Sequence, residues 1–409
     1  MKPERTQVPH SGRRHVMYIT GTRADYGLMR DTLRAIDQHP RLRLSILVTG
    51  MHLLKEFGDT LQEVEKDGYP ISHKVEMLGG GDSPKAMAQS LGRAVVEMAE
   101  AFGKSQPDFI LLEGDRGESL AAAIAAAHMN VGVAHASGGD VSGTIDESIR
   151  HAITKFAHIH FPGTSLSARR ILAMGEDPWR VHMVGTPGST LKVEPPMTKA
   201  DVGKMLGTNL TGPVIVVLQH PVTTEADDAG RQMRETMEAV RGFGVRTVLI
   251  YPNSDAGGRA MMEVIKEYER QPFLATFKNL PRPTYVALLS VADVLVGNSS
   301  SALSNAPNFG LPAVNVGTRQ QGRERGGNII DAGYDREEIQ RAIQYALDHG
   351  DDQAFRAKCR QSPFRDDDAG AKIADVLASV EMGPKLIQKR FFDGALADTG
   401  AVALGARSR

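Results

Sequence analysis

The chain has 409 residues, 41% of them apolar, enough to bury two cores of ordinary size rather than one. Its 48 basic and 49 acidic residues leave a net charge of −1 with no Lys/Arg block, which excludes a nucleic-acid-type polyanion surface and confines any phosphate recognition to a local site. The single cysteine, Cys359, rules out an internal disulfide; no window reaches the roughly 18 apolar residues of a membrane span and no signal-like run follows the basic start, so a cytoplasmic protein with no membrane or nucleic-acid partner is expected.

After a polar lead (residues 1–14), short β-branched runs alternate with longer amphipathic stretches, the rhythm of βαβ units on a parallel sheet. The first run, HVMYIT, ends in Thr20-Gly21-Thr22-Arg23-Ala24-Asp25-Tyr26-Gly27, a turn that opens a helix and offers N–H groups and Arg23 to an anion. It lacks GxGxxG spacing, so no dinucleotide is implied. An ordinary turn with a solvated arginine fits it equally well. RLSILV is followed by Gly50-Met51-His52-Leu53, where His52 can reach a cleft as a donor to sugar hydroxyls or serve a structural role. DFILLE delivers Gly114-Asp115-Arg116; a strand-end aspartate can simply cap the next helix, but capping leaves Arg116 unexplained.

VGVAHA leads into Ser137-Gly138-Gly139-Asp140 and on to Asp146, Glu147 and Arg150. Its glycines permit close backbone approach, and Thr144 with Glu147 three residues later reads as a capping box. That pattern consumes Glu147 and leaves Asp146 as the carboxylate for chemistry. HIHFP completes the first set of strands.

A Pro-, Gly- and Thr-rich segment, Gly185 to Pro213, separates two domains expected at 15–190 and 191–380. The strand rhythm then resumes with VIVVLQ, RTVLIY, ADVLVG and PAVNV. VIVVLQ runs into His220-Pro221, whose proline stiffens the turn; RTVLIY runs into Pro252-Asn253-Ser254-Asp255. ADVLVG ends in Gly297-Asn298-Ser299-Ser300-Ser301, a hydroxyl-rich helix start suited to a diphosphate. In Gly317 to Arg325, Arg319, Arg323 and Arg325 stand in a glycine-bounded loop, and guanidinium forks grip phosphate oxygens bidentately. The last predicted helix, about residues 367–380, is counted with the second domain, although it can also pack back across the cleft. Residues 381–409 read as a Gly/Ala-rich tail.

The expected fold is α/β: two Rossmann-like doubly wound domains with a central cleft between their strand C-termini. Acids from the first half then face hydroxyls and arginines from the second. That mix suits a phosphorylated sugar whose carbon acid must be deprotonated.

Taken together, TRADYG, GDR, SGTIDESIRHAITK, LQHPVTTE, PNSDAG, GNSS and GTRQQGRE resemble the hydrolysing UDP-N-acetylglucosamine 2-epimerases, which are related in fold to two-domain glycosyltransferases of the GT-B type. The resemblance covers about residues 15–335. It implies conversion of UDP-N-acetylglucosamine to N-acetylmannosamine and UDP, with no metal or redox cofactor and a dimeric or tetrameric assembly. By the same resemblance Asp115, Asp146 and His220 fall on catalytic positions, and Arg23, His52, Arg116, Asn253, Ser299, Ser300 and Arg319 on substrate or nucleotide positions. The implied chemistry is elimination of UDP across C1 and C2, then addition of water with inversion at C2. Two departures stand out. HASGGD replaces the HIEGGE usual in sialic-acid members, putting Ser137 where a carboxylate is expected, and Asn305 replaces a glutamate expected on the ribose. They mark a different sugar, a different assignment of the base, or lost activity, so the same reaction on UDP-2,4-diacetamido-2,4,6-trideoxyglucose and a non-catalytic nucleotide-sugar binder stay open, as does, from the similar architecture, a GT-B glycosyltransferase.

Overall fold

The computed structural model of the chain describes residues 12–55, 60–79, 81, 83–142, 145–364 and 368–393. Its first sheet holds β1 (Arg14–Thr20), β2 (Leu42–Thr49), β3 (Ile71–Val75), β4 (Phe109–Glu113), β5 (Gly132–Ala136) and β6 (Ile159–Phe161), in the order β3-β2-β1-β4-β5-β6. Its second holds β7 (Val214–Leu218), β8 (Arg246–Ile250), β9 (Leu274–Phe277), β10 (Val294–Gly297), β11 (Ala313–Val316) and β12 (Ile329–Ala332), in the order β12-β11-β10-β7-β8-β9. Every pairing is parallel. Both sheets have one doubly wound order, so the winding reverses between β1 and β4 and again between β7 and β10. The fold class is the one expected, two Rossmann-like domains.

The central strands β4, β5 and β7 are buried along their whole length because helices cover both faces, and they accordingly read as near-continuous apolar runs. Each sheet carries a core on either face. Val16, Tyr18, Leu111 and Phe161 pack on one side of the first sheet, and Met17, Ile19, Ile110 and Leu112 on the other. Strands β3, β9 and β12 were not expected from sequence. All three are sheet edges with partly exposed residues, so their apolar pattern is broken.

The C-terminal assignment needs correction. Helix Ala369–Ser379 lies against helix Arg23–Gln38, and Ile373, Ala374 and Leu377 join the first sheet's core, so residues expected to end the second domain complete the first. Part of the predicted tail follows them: Leu386 is fully buried, and Arg180 donates to the Leu386 and Lys385 carbonyls at 2.9 and 2.8 Å. Lys389 donates to the carbonyls of Thr154, Lys155 and Ala157 at 3.2, 3.0 and 2.7 Å. The remainder of both predicted tails lies outside the described residues. No helix among the described residues is long and apolar enough to cross a membrane.

Candidate active site

Four strand ends, those of β1, β4, β7 and β10, flank the two winding reversals, and an open cleft lies between them. The close approach of β10 to β7 requires glycine. At Gly297 φ is +132°, and a Cβ would stand 2.2 Å from the Leu218 carbonyl oxygen. Of the residues expected in the site, Arg23, Asp115, Arg116, Asp146, His220, Asn253, Ser299, Ser300 and Arg319 all line this cleft.

The first lobe contributes the acids. Asp115, just past β4, is ion-paired with Arg150, whose side chain is buried with Nε and Nη1 unpartnered. Burial, with the like charges of Arg323 and Arg319, pushes the Arg150 guanidinium well below its ordinary range. Asp146, at the start of helix Ile145–Phe156, meets Arg319 of the second lobe at 3.2 Å. Asp140 accepts from Ser167 Oγ at 2.5 Å and from Arg323 at 2.7 Å. Glu147 is occupied by the Ser142 N–H and by His151 at 3.2 Å, in keeping with a local role; its expected capping partner Thr144 lies outside the described residues. Arg116 forms a bidentate pair with Asp255 at 3.0 and 2.8 Å across the lobes. Arg23 donates to the Leu280 carbonyl at 2.8 Å and to Asn279.

The second lobe contributes donors. His220 follows β7 and is held by Asn298, whose side chain accepts from the His220 N–H at 2.7 Å and donates to its carbonyl at 2.8 Å. The Asn253 N–H donates to His220 Nδ1 at 3.1 Å, so the neutral ring carries its proton on Nε2. Burial, reinforced by the Arg319 charge, lowers its pKa to about 3, which makes the ring a neutral donor rather than a cationic acid at neutral pH. Gln320 Nε2 and Arg319 Nη1 both donate to the Asn298 carbonyl, at 2.8 and 3.3 Å, tying the arginine loop to the serine turn.

Four expectations change. His52 does not line the cleft: it is fully buried, with Nε2 bonded to Thr20 Oγ1 at 2.9 Å and Nδ1 to Thr60 Oγ1 at 2.7 Å, and burial lowers its pKa to about 4. Because β2 lies one strand away from the winding reversal, a short 3-10 turn directs the ring inward to brace the turn that carries Arg23. The helix after Ser299 and Ser300 spans only Ser301–Ser304, so hydroxyls and N–H groups, with little macrodipole, are what it offers an anion. Arg325 pairs with Asp331 of β12 and leaves the cleft to Arg319 and Arg323. Asn305 is buried with its oxygen taken by Ser301 at 3.0 Å, and it too lies off the cleft.

The sequence reading assigned no role to Glu113 or Asp140 and left Arg150 without one, although all three line the cleft; Arg323, read there as one of the loop's phosphate-gripping arginines, lines it too. A signal for Glu113 was present: an acid as the final residue of an otherwise apolar, fully buried strand. Among the described residues no group of three or more His, Cys, Asp or Glu side chains is arranged to hold a metal ion.

The two Rossmann-like lobes share their fold with solved enzymes of GT-B-like architecture. Superposition with the Methanocaldococcus jannaschii UDP-GlcNAc 2-epimerase in complex with UDP-GlcNAc and UDP gives a TM-score of 0.73 at 16% identity, covering 89% of this chain and 99% of that one. The Neisseria meningitidis UDP-GlcNAc 2-epimerase bound to UDP-GlcNAc gives 0.72 at 14% identity, with the same coverage. A family model described as UDP-N-acetylglucosamine 2-epimerase matches residues 34–378, and the chain belongs to that family. It is 39% identical over 335 residues to the UDP-N,N'-diacetylbacillosamine 2-epimerase (hydrolyzing) of Legionella pneumophila, covering 82% of this chain and 89% of that protein. It is 32% identical over 385 residues to a UDP-N-acetylglucosamine 2-epimerase of Neisseria meningitidis serogroup B, covering 93% and 99%.

Proposed function

We propose that this chain is a hydrolysing 2-epimerase of a UDP-linked 2-acetamido sugar. The observation that carries the reading is the meeting of Asp146 with Arg319 at 3.2 Å across one cleft, since it brings a first-lobe acid and a second-lobe cation to the same site. In the proposed course a first-lobe carboxylate removes the C2 proton, the C–H electron pair becomes the C1=C2 bond, and the C1–O bond breaks with its pair leaving on UDP. Water then adds its oxygen to C1 while a proton returns to the opposite face of C2, releasing the epimer as a free sugar. Arg319, the hydroxyls of Ser299 and Ser300 and the His220 Nε2–H would stabilise the departing diphosphate. Asp115 and Asp146 take part in the acid and base work, and no step calls for a metal or redox cofactor.

UDP-N-acetylglucosamine, giving N-acetylmannosamine, is the first substrate to test. UDP-2,4-diacetamido-2,4,6-trideoxyglucose is the second reading, favoured by the 39% identical relative that carries the diacetylbacillosamine name. Incubation with each sugar in deuterated water is expected to release UDP and a product deuterated at C2. Release of UDP only with an added acceptor sugar would favour a glycosyltransferase, and binding without turnover a nucleotide-sugar binder.

A further inference from the structure

Most carboxylates along the cleft are already engaged. Asp115 is held by Arg150, Asp140 by Arg323 and Asp146 by Arg319, while Asp25 accepts from the N–H groups of Gly21, Thr22 and Tyr26 at 3.0, 3.1 and 2.5 Å. Those partners occupy the carboxylate oxygens that would otherwise face a substrate. Glu113, the last residue of β4, also lines the cleft and is 8% exposed, yet among the described residues no ion pair and no backbone N–H engages its carboxylate. The surface beside it is unfinished. Ser137, at the end of the neighbouring strand, is held at φ +61°, with its hydroxyl close to the Glu113 carboxyl but not closing a hydrogen bond to it, and the buried Nε and Nη1 of Arg150 have no partner. A strained non-glycine residue and orphaned buried donors around one unpaired acid are features of a ligand-facing site rather than of a packed core.

We infer that Glu113 is the base that takes the proton from C2 of the sugar, an assignment resting on the reaction proposed above. The Glu113 carboxylate forms the new O–H bond as the C2–H bond breaks, and the electron pair moves into C1=C2 as UDP departs. Asp115 and Asp146 then serve the hydration half. The surroundings support the role. Burial, with the negative charge of Asp25, raises Glu113 to about 7, against the opposing pull of Ser137, Arg150 and Arg323, and Tyr18 of β1 lies within reach of its charge. A base with that poise combines a usable ionised fraction with real basicity near neutral pH.

The test follows UDP release by wild type, Glu113→Gln and Glu113→Asp from about pH 5 to about 9, with UDP binding measured by calorimetry as the control for an intact site. Expected are a fall in kcat on the order of 10² or more for Glu113→Gln with UDP affinity near wild type, and loss of the wild-type decline in rate below about pH 7. An active wild type whose Glu113→Gln variant stays within a few-fold and keeps that decline overturns the assignment alone. If Glu113→Gln no longer binds UDP, Glu113→Asp decides: a slowed enzyme that keeps the decline supports the role, and a wild-type rate without it refutes the role. Absence of UDP release by the wild type from any 2-acetamido sugar overturns the reaction and this assignment together.

Discussion

An aspartate bound to an arginine of the opposite lobe becomes available for chemistry only when another anion takes the arginine. Asp146 and Arg319 stand in that relation at 3.2 Å, with side chains 9% and 12% exposed, so water screens the pair weakly. A diphosphate arriving at Arg319 would release Asp146 toward the sugar. Asp146→Asn is therefore expected to lower kcat by a factor on the order of 10² or more with UDP affinity within a few-fold of wild type. Arg319→Ala should instead weaken UDP binding about tenfold or more, the value of a hydrogen bond to a charged group. Turnover assays and calorimetric titration with UDP separate the two outcomes; an Asp146→Asn enzyme of near-normal rate would remove that residue from the chemistry. At this scale the sequence was informative because a polar residue just past a buried strand has only a strand end to occupy. It failed at His52, where the strand was right and the ring's direction depended on Thr60, eight residues further along.

Among the elements, helix Ala369–Ser379 has the clearest energetic consequence. The chain leaves the second domain to finish the first, filling the groove over helix Arg23–Gln38, where Gly370 approaches the Thr32 backbone so closely that a Cβ would stand 2.9 Å from it. Leu377 is fully buried there. Leu377→Ala is expected to cost about 2–5 kcal/mol, read in a denaturant titration. Loss of less than about 1 kcal/mol would show that the helix contributes little to the first domain's core. The helix itself was legible from its apolar spacing, but its destination was not, because an amphipathic stripe specifies that a face is buried and not against which sheet. Edge strands failed for a related reason: Ile71–Val75 alternates half-buried with exposed residues and has no central-strand signature.

Across the whole molecule, Arg116–Asp255, Asp140–Arg323, Asp146–Arg319 and Arg23–Leu280 bridge the lobes along the cleft. Arg116 with Asp255 is the bidentate one among these, its side chains 17% and 7% exposed, and against the opposing effect of burial the neighbouring acids Asp255 and Glu118 push the Arg116 guanidinium higher still. Among the described residues, removing Asp255 leaves the Arg116 guanidinium with only Glu118, at 3.8 Å, as an ion-pair partner. Asp255→Ala is thus expected to destabilise by about 3–5 kcal/mol, and the Arg116→Ala, Asp255→Ala double variant by clearly less than the sum of the single losses. Additive losses in denaturant titrations of the three variants would mean that the bridge stores no coupling energy.

The sequence by itself determined the two βαβ halves, the central strands and the motifs at their ends. Those features are written in local patterning: apolar runs long enough for a strand buried on both faces, followed by glycine, acid or hydroxyl where the strand must stop. Tertiary structure alone decided which acid meets which arginine, which histidine turns away from the cleft, where the last helix docks and which carboxylate stays unpaired. Glu113 and Asp115 are two residues apart in the chain, yet among the described residues only Asp115 has a guanidinium ion-pair partner, supplied by Arg150 from a different helix. Charge pairing depends on distances between elements far apart in sequence, and those distances exist only once both sheets have packed.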